Sequence, residues 1–352
     1  MEKASLAFLE KLVTTPSPSG YEQPVQKLMR ERMAKFADTV TTDVHGNVIA
    51  ALNAKAPLRV MLAGHADEIG LMVKNITKEG YIYVVQIGGI DPVVAIAQRV
   101  VVHGPKGGVP GVVGRKAIHL TDPEERGKPM KMHQIWVDIG AKDKKDAEKV
   151  VQIGDPITFD TGLTLLRDNL ATARAFDDRM GAFVVAETLR KLKGKKLAVA
   201  VYGVSTVQEE IGLRGARTSA FGVDPHAGIA IDVGHATDTP GVDKNRAGDQ
   251  ACNKGPIVAR GANINPVLHA RIVAAAKKAK VAIQHEGSPG GTGTDANAIQ
   301  LTRAGVAAGL VSVPCRYMHS PCEVISLKDL DETSDLLAVT LAAMPAKIDF
   351  TP

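Results

Sequence analysis

Apolar positions follow two different rhythms along the chain, and the change of rhythm marks its organisation. Residues 1–68 read helix, loop, helix, strand, strand. Leu6, Leu9, Leu12 and Val13 recur at helical spacing, Thr14 to Gly20 is a Pro/Ser/Gly break, Gln23 to Phe36 is helix-like, and Leu58 to Ala63 is a continuous apolar run. From Ile69 to about Thr161 the runs shorten and fill with β-formers, as in Ile69 to Val73, Tyr81 to Gln86, Arg99 to His103, Val109 to Val113, Ile135 to Val137 and Pro156 to Phe159, with Gly and Pro turns between them. That pattern predicts a small β-barrel or sandwich, with one short charged helix near Lys142 to Val150. After Phe176, helical patterns at Arg179 to Lys193, Pro266 to Lys280, Asp295 to Ala304 and Leu327 to Ala343 alternate with apolar strands at Leu197 to Val207, Gly228 to Val233, Val281 to Gln284 and Val306 to Val313. Such alternation predicts an α/β fold, a mostly parallel sheet with helices on both faces. The α/β domain is therefore discontinuous, residues 1–68 and 169–352, with a β-rich domain inserted at 69–168.

Sites in α/β sheets are built where strands end, and the strand ends here carry acids and imidazoles. Gly64-His65-Ala66-Asp67-Glu68 follows the run ending at Ala63, so His65 and Asp67, two residues apart, leave that strand on the same side. Gln208-Glu209-Glu210 follows Leu197 to Val207, Asp232 closes an apolar strand, Met318-His319-Ser320-Pro321 follows Val306 to Val313, and Asp177-Asp178 precedes a helix. Two imidazoles, three carboxylates and one spare carboxylate to act on a water are what a pair of divalent cations needs. On an extended backbone Glu209 and Glu210 would point opposite ways, so the two are not expected to bind the same metal. Asp67 is suited to take the second ring N–H of His65 and orient it.

In this order and wording the chain resembles the M42 metallo-aminopeptidases, the glutamyl aminopeptidase or TET group of the co-catalytic di-metal exopeptidases. The resemblance covers nearly the whole chain and is carried by the order His-x-Asp, Asp, Glu-Glu, Asp, His, by Gly-His-Ala-Asp-Glu-Ile-Gly at 64–70 and by Arg-Tyr-Met-His-Ser-Pro at 316–321. It implies two divalent ions, zinc or cobalt, with His65 and Asp232 on one, Glu210 and His319 on the other, and a bridging carboxylate from Asp177 or Asp178. Related exopeptidases place a Gly four residues after the bridging Asp, and Gly181 stands four after Asp177, which selects Asp177. Glu209 is the implied general base, peptides the implied substrates, and removal of N-terminal residues the implied reaction. The insert is implied to serve dimerisation and assembly into a dodecamer, with apolar segments such as Ile90 to Ala97 offered to a neighbouring subunit.

Bulk properties narrow the field. The net charge of +5 is spread along the chain and aromatics make up only 4%, so neither a basic stripe nor stacking platforms for nucleic acid are present. The 3 cysteines, Cys252, Cys315 and Cys322, form neither a disulfide framework nor a CxxC pair, the opening residues lack the apolar core of a signal peptide, and no apolar run approaches the length of a membrane span; a cytoplasmic location is expected. A carbohydrate-active hydrolase is the competing enzyme class, but a glycosidase has no use for paired metal-binding imidazoles, and Trp136 is the single tryptophan. A non-catalytic assembly protein would be expected to lack Glu209 or a ligand. His235, three residues after Asp232, and the remaining histidines lack a motif and are taken as surface or core residues. Gly290 to Asp295 lacks the Lys of a phosphate loop; it either resembles the family's Gly-Thr-Asp-Ala stretch near the substrate pocket or is a flexible loop capping the next helix, and it is assigned no catalytic role.

Overall fold

The computed structural model describes residues 1–352, the Glu125 side chain excepted. Three strands come first, β1 (Thr39–Thr42), β2 (Val48–Leu52) and β3 (Arg59–His65). Then follow β4 (Gly70–Ile76), β5 (Ile82–Ile87), β6 (Arg99–Gly104), β7 (Gly107–Arg115), β8 (Ile135–Asp138) and β9 (Pro156–Phe159). The rest are β10 (Thr164–Leu165), β11 (Leu170–Ala173), β12 (Ala200–Thr206), β13 (Ala227–His235), β14 (Ile257–Gly261), β15 (Gln284–Ser288), β16 (Ala307–Arg316) and β17 (Glu323–Ser326).

An 11-stranded sheet runs β1-β2-β12-β3-β13-β16-β17-β11-β10, with β14 branching from β16 and carrying β15. Its centre, β12, β3, β13 and β16, is parallel, and the strands flanking that centre on either side are antiparallel. The continuous apolar run of β3 is explained by burial on both faces. Val60 and Leu62 join the cluster packed under helices Lys3–Thr14, Gln23–Met33, Phe176–Leu192 and Leu327–Ala342, whereas Met61 and Ala63 join Val204 under helices Arg214–Val223 and Asp295–Gln300. Helix Phe176–Leu192 crosses the end of β3 at very short range: a Cβ on Gly64 would lie 2.3 Å from the Gly181 carbonyl carbon. Only a pair of glycines lets that helix start beside the strand end.

Strands β4 to β9 close into a separate barrel in the order β4-β5-β8-β7-β6-β9. Alternate residues such as Leu71, Val73, Ile82, Val84, Val100, Val102, Ile135 and Val137 fill it, and closure leaves no free edge.

Some boundaries differ from the sequence expectation for identifiable reasons. The first segment has three strands rather than two, because β1 is a largely exposed edge with no apolar run. β15 lies at Gln284–Ser288 instead of Val281 to Gln284; as an edge strand paired only to β14 it tolerates polar side chains. The charged helix shrinks to Lys144–Ala147. β10, inside the expected insert 69–168, pairs in the large sheet, and the last barrel strand ends at Phe159. Ile90 and Ala95 are buried in the barrel's own core with Val94 and Ile96 packed against it, so most of Ile90 to Ala97 is already covered within the chain. Among the described residues, no helix is long and apolar enough to cross a membrane.

Candidate metal centre

The parallel strands deliver their cargo to one place. His65 ends β3, Asp232 lies in β13, Glu209 and Glu210 follow β12, His319 follows β16, and Asp177 opens helix Phe176–Leu192 beside β3. One oxygen of the Asp177 carboxylate lies 3.2 Å from His65 Nε2 and the other 3.2 Å from His319 Nε2. His319 Nε2 is also 3.5 Å from Glu210 Oε2, and His65 Nε2 is 3.7 Å from Glu209 Oε2. Asp177, Glu209, Glu210, Asp232 and His319 line one cavity of about 630 Å³. Two donor groups, His65-Asp177-Glu210 and His65-Asp178-Asp232, have ligand atoms all within 4.8 Å of one another. Every residue singled out for the site from the sequence lies in or against this cluster.

The local backbone explains how. Gln208 adopts φ +56°, which takes the chain out of the extended conformation after β12. Glu209 and Glu210 therefore do not face opposite ways as an extended strand would require; both line the cavity, one toward each histidine. Asp67 holds that bend. Its Oδ1 accepts the Glu209 N–H at 3.0 Å and its Oδ2 accepts the Glu210 N–H at 3.1 Å and the Ser19 hydroxyl at 2.6 Å. Toward His65 Nδ1 it offers its carboxylate at 3.4 Å and its own carbonyl at 3.2 Å. One buried aspartate thus positions both an imidazole and the paired glutamates. Glu22 Oε1 adds a second anchor, accepting from Gln208 N–H at 3.1 Å.

The pair Asp177-Asp178 divides its work clearly. Asp177 faces the two histidines, while Asp178 accepts N–H groups of His65 and Gly181, each at 3.0 Å, and so ties the helix start to the end of β3. Glu323 bridges from behind, accepting the N–H of Asp177 and of His319 at 2.9 Å each. Nothing in its sequence surroundings marks Glu323, because it sits on β17 and its partners are more than a hundred residues away or in a turn. Ser19 lay in the Pro/Ser/Gly break and Asp295 in the glycine-rich stretch, so both were visible as positions but not as parts of the site. Asp295 accepts from Thr206 Oγ1 at 2.6 Å and points its other oxygen into the interior without a partner. Glu68, which reads as a turn residue, is instead buried in an ion-paired network with Arg174 and Arg179. His235 is exposed and lines the cavity rim without joining either donor group.

The electrostatics call for positive charge. Burial, with repulsion from Asp232, Asp295 and Asp67, pushes Glu209 up to about 9 against the pull of His65. Burial likewise carries Asp232 up to about 8, and burial with Asp177 repulsion carries Glu210 well above the carboxylate range. For His65, burial opposes protonation but Glu209, Asp177 and Asp67 outweigh it; His319 is raised chiefly by its hydrogen bond to Asp177. Glu210 Oε1 is buried with no hydrogen-bond partner. So many acids crowd together only where cations compensate them, and a mixed imidazole and carboxylate donor set suits divalent ions.

A parallel-centred α/β sheet with this cluster at its carboxyl edge and a barrel inserted after β3 describes a class of peptide hydrolases. Residues 46–336 match the family described as M42 glutamyl aminopeptidase, and the chain belongs to that family. It is 40% identical to a lysyl aminopeptidase of Pyrococcus furiosus over 98% of this chain and 99% of the relative. The fold matches a TET aminopeptidase from a marine sediment archaeon of the Thaumarchaeota with a TM-score of 0.93 at 35% identity, covering 98% of each chain. It also matches the TET1 peptidase of Pyrococcus horikoshii, described as able to assemble into a tetrahedron or a large octahedral shell, with a TM-score of 0.86 at 29% identity over 97% of this chain and 100% of the other. The protein is a peptide hydrolase of the aminopeptidase type.

Proposed function

We propose that the protein releases residues one at a time from the N-terminus of peptides, using two divalent cations per subunit and Glu209 as the proton-transfer group. The observation that carries this reading is the Asp177 carboxylate, set between His65 and His319 with one oxygen 3.2 Å from each. His65, Asp177 and Asp232 would hold one ion and Asp177, Glu210 and His319 the other, and the ions when bound supply Lewis acidity that polarises a peptide carbonyl and acidifies a water. Glu209 takes the proton of the attacking water on its carboxylate and returns it to the departing amine. Its Oε2 lies at the cavity wall 3.7 Å from His65 Nε2, where it can receive and return that proton. Asp67 keeps Glu209 and Glu210 in register by accepting both of their N–H groups, and it orients His65. Selection of the peptide N-terminus is carried over from the aminopeptidase family to which the chain belongs.

The barrel serves self-association in this reading, and we carry over from the assembling relatives a homo-oligomer built of dimers, a dodecamer in the simplest case. Tyr81, Val85, Val112, Ile118 and Leu120, exposed large apolar residues of the barrel region, supply the surface together with Val93, the exposed apolar residue of Ile90 to Ala97. An enclosed assembly would restrict access to unfolded peptides and make an unselective hydrolase safe in the cytoplasm. Activity of the purified protein on aminoacyl chromogenic substrates, with and without Zn²⁺, Co²⁺ or Mn²⁺, is the test of the reaction; hydrolysis of N-acetylated substrates at equal rates would overturn the exopeptidase reading. Light scattering on the intact protein, and on a variant lacking the barrel residues 70–159, tests the assembly, and an intact protein that is monomeric at micromolar concentration would overturn it.

A further inference from the structure

The cavity that holds the acidic cluster extends away from it, and its far wall carries a further acid that the chemistry does not use. Glu286 on β15 lines the same cavity as Asp177, Asp232 and Glu209, beside Ser288, Leu310 and Val233. No Lys or Arg is among the residues lining that cavity, and no ion pair engages Glu286 among the described residues. Its carboxylate is half-buried and faces the cavity from an edge strand.

Sheet register gives the distance between the two acidic ends. Asp232 on β13 pairs with Ser312 on β16, Ser312 pairs with Ile257 on β14, and Ala259, two residues along β14, pairs with Glu286 on β15. Three strand spacings of about 4.8 Å put the backbone of Glu286 roughly 14 Å from that of Asp232, plus a two-residue offset along the strands. Both side chains reach into the cavity from their strands, so the gap left between the carboxylates matches a long side chain rather than a short one. Leu310, two residues before Ser312 on the intervening strand β16, adds apolar lining suited to methylenes.

We propose that Glu286 is the specificity residue of this aminopeptidase and selects peptides whose N-terminal residue is Lys or Arg. The inference rests on the aminopeptidase reading above. With the α-ammonium of the substrate held at the acidic cluster, the N-terminal side chain runs along Leu310 and its cationic head meets the Glu286 carboxylate. An acidic N-terminal residue meets like charge at Glu286 and is rejected. Medium-length apolar residues bind by the apolar stretch alone and fall between.

The test is kcat/KM of the full-length, metal-loaded protein on lysyl-, arginyl-, leucyl- and glutamyl-p-nitroanilide, for the wild type, Glu286→Gln and Glu286→Lys. The wild type is expected to prefer lysyl and arginyl substrates and to turn over the glutamyl one least. Glu286→Gln should lower the lysyl-to-leucyl ratio about 10- to 100-fold, the range for losing a hydrogen bond to a charged group, mainly through KM. Glu286→Lys should raise the glutamyl rate above that of the wild type, a gain that a misfolded variant cannot produce. A wild type that prefers the glutamyl substrate, or a lysyl-to-leucyl ratio that Glu286→Gln leaves unchanged while leucyl hydrolysis continues, overturns the assignment of Glu286 alone. Absence of hydrolysis of every aminoacyl substrate by the metal-loaded wild type overturns the aminopeptidase reading and this inference with it.

Discussion

The barrel and the large sheet are built by opposite strategies. In the barrel the pattern is locally consistent: inward positions are Val, Ile, Leu and Phe, and its buried polar side chains are few, Asp155 and Thr158 among them. The sheet has an equally apolar interior but concentrates Asp67, Asp177, Asp178, Glu209, Asp232 and Asp295 at one edge, with Glu68 and Arg179 buried just behind. Such a cluster costs stability that the surrounding core must offset. A region that obeys every patterning rule is a scaffold, and a region that breaks them in one place is where chemistry is done.

The contrast can be broken most sharply at Glu209. Glu209→Gln should keep its metal and lose about 10²- to 10⁴-fold in kcat, the usual weight of a general acid–base group; elemental analysis beside steady-state kinetics reads both. Near-normal turnover in a fully loaded variant would remove Glu209 from the mechanism. Next come the donors: His65→Ala, Asp232→Ala and His319→Ala should each lose metal and activity together, whereas Asp67→Asn should reduce rate more than metal content because it acts through Glu209, Glu210 and His65. If His235→Ala strips a metal instead, the donor set is misassigned.

Behind the cluster, Arg179 is fully buried against Glu68 and also donates to the carbonyls of Leu12, Thr15 and Ala66. Arg179→Met should destabilise the protein by about 3–5 kcal/mol, as expected when one partner of a buried pair is removed, measured as a lower urea midpoint. Burial raises the Glu68 pKa, but Arg174 and Arg179 outweigh it and hold the carboxyl below its usual range. A depressed folded-state pKa means that this stabilisation is complete above the ordinary glutamate value, about 4.3, and is lost as pH falls through the lower folded-state value. The wild type should therefore lose more stability than Glu68→Gln on acidification below about pH 4.3; equal losses would count against the pairing. The smallest effect belongs to the barrel, where Ile135→Val should cost only about 0.5–1.5 kcal/mol and leave metal content unchanged. A loss of bound metal there would mean that the two regions are more tightly coupled than their separate cores imply.

The α/β rhythm, the barrel and the strand-end acids were legible along the chain because burial on one or two faces imposes a period on neighbouring residues. The residue types His65, Asp177, Glu209, Glu210, Asp232 and His319 stood out for the same reason, as polar groups placed where an apolar run stops. Tertiary structure alone decided the rest. The turn at Gln208 put both glutamates into one cavity against the expectation for an extended strand. Glu323 came to hold Asp177 and His319 from β17, Asp67 to hold Glu209 and Glu210 across 142 and 143 positions, and Glu286 to share a cavity with Asp232 across three strand spacings. Those relations depend on how strands from distant parts of the chain align side by side, and hydrogen bonding between strands leaves no periodic trace in the order of residues within any one of them.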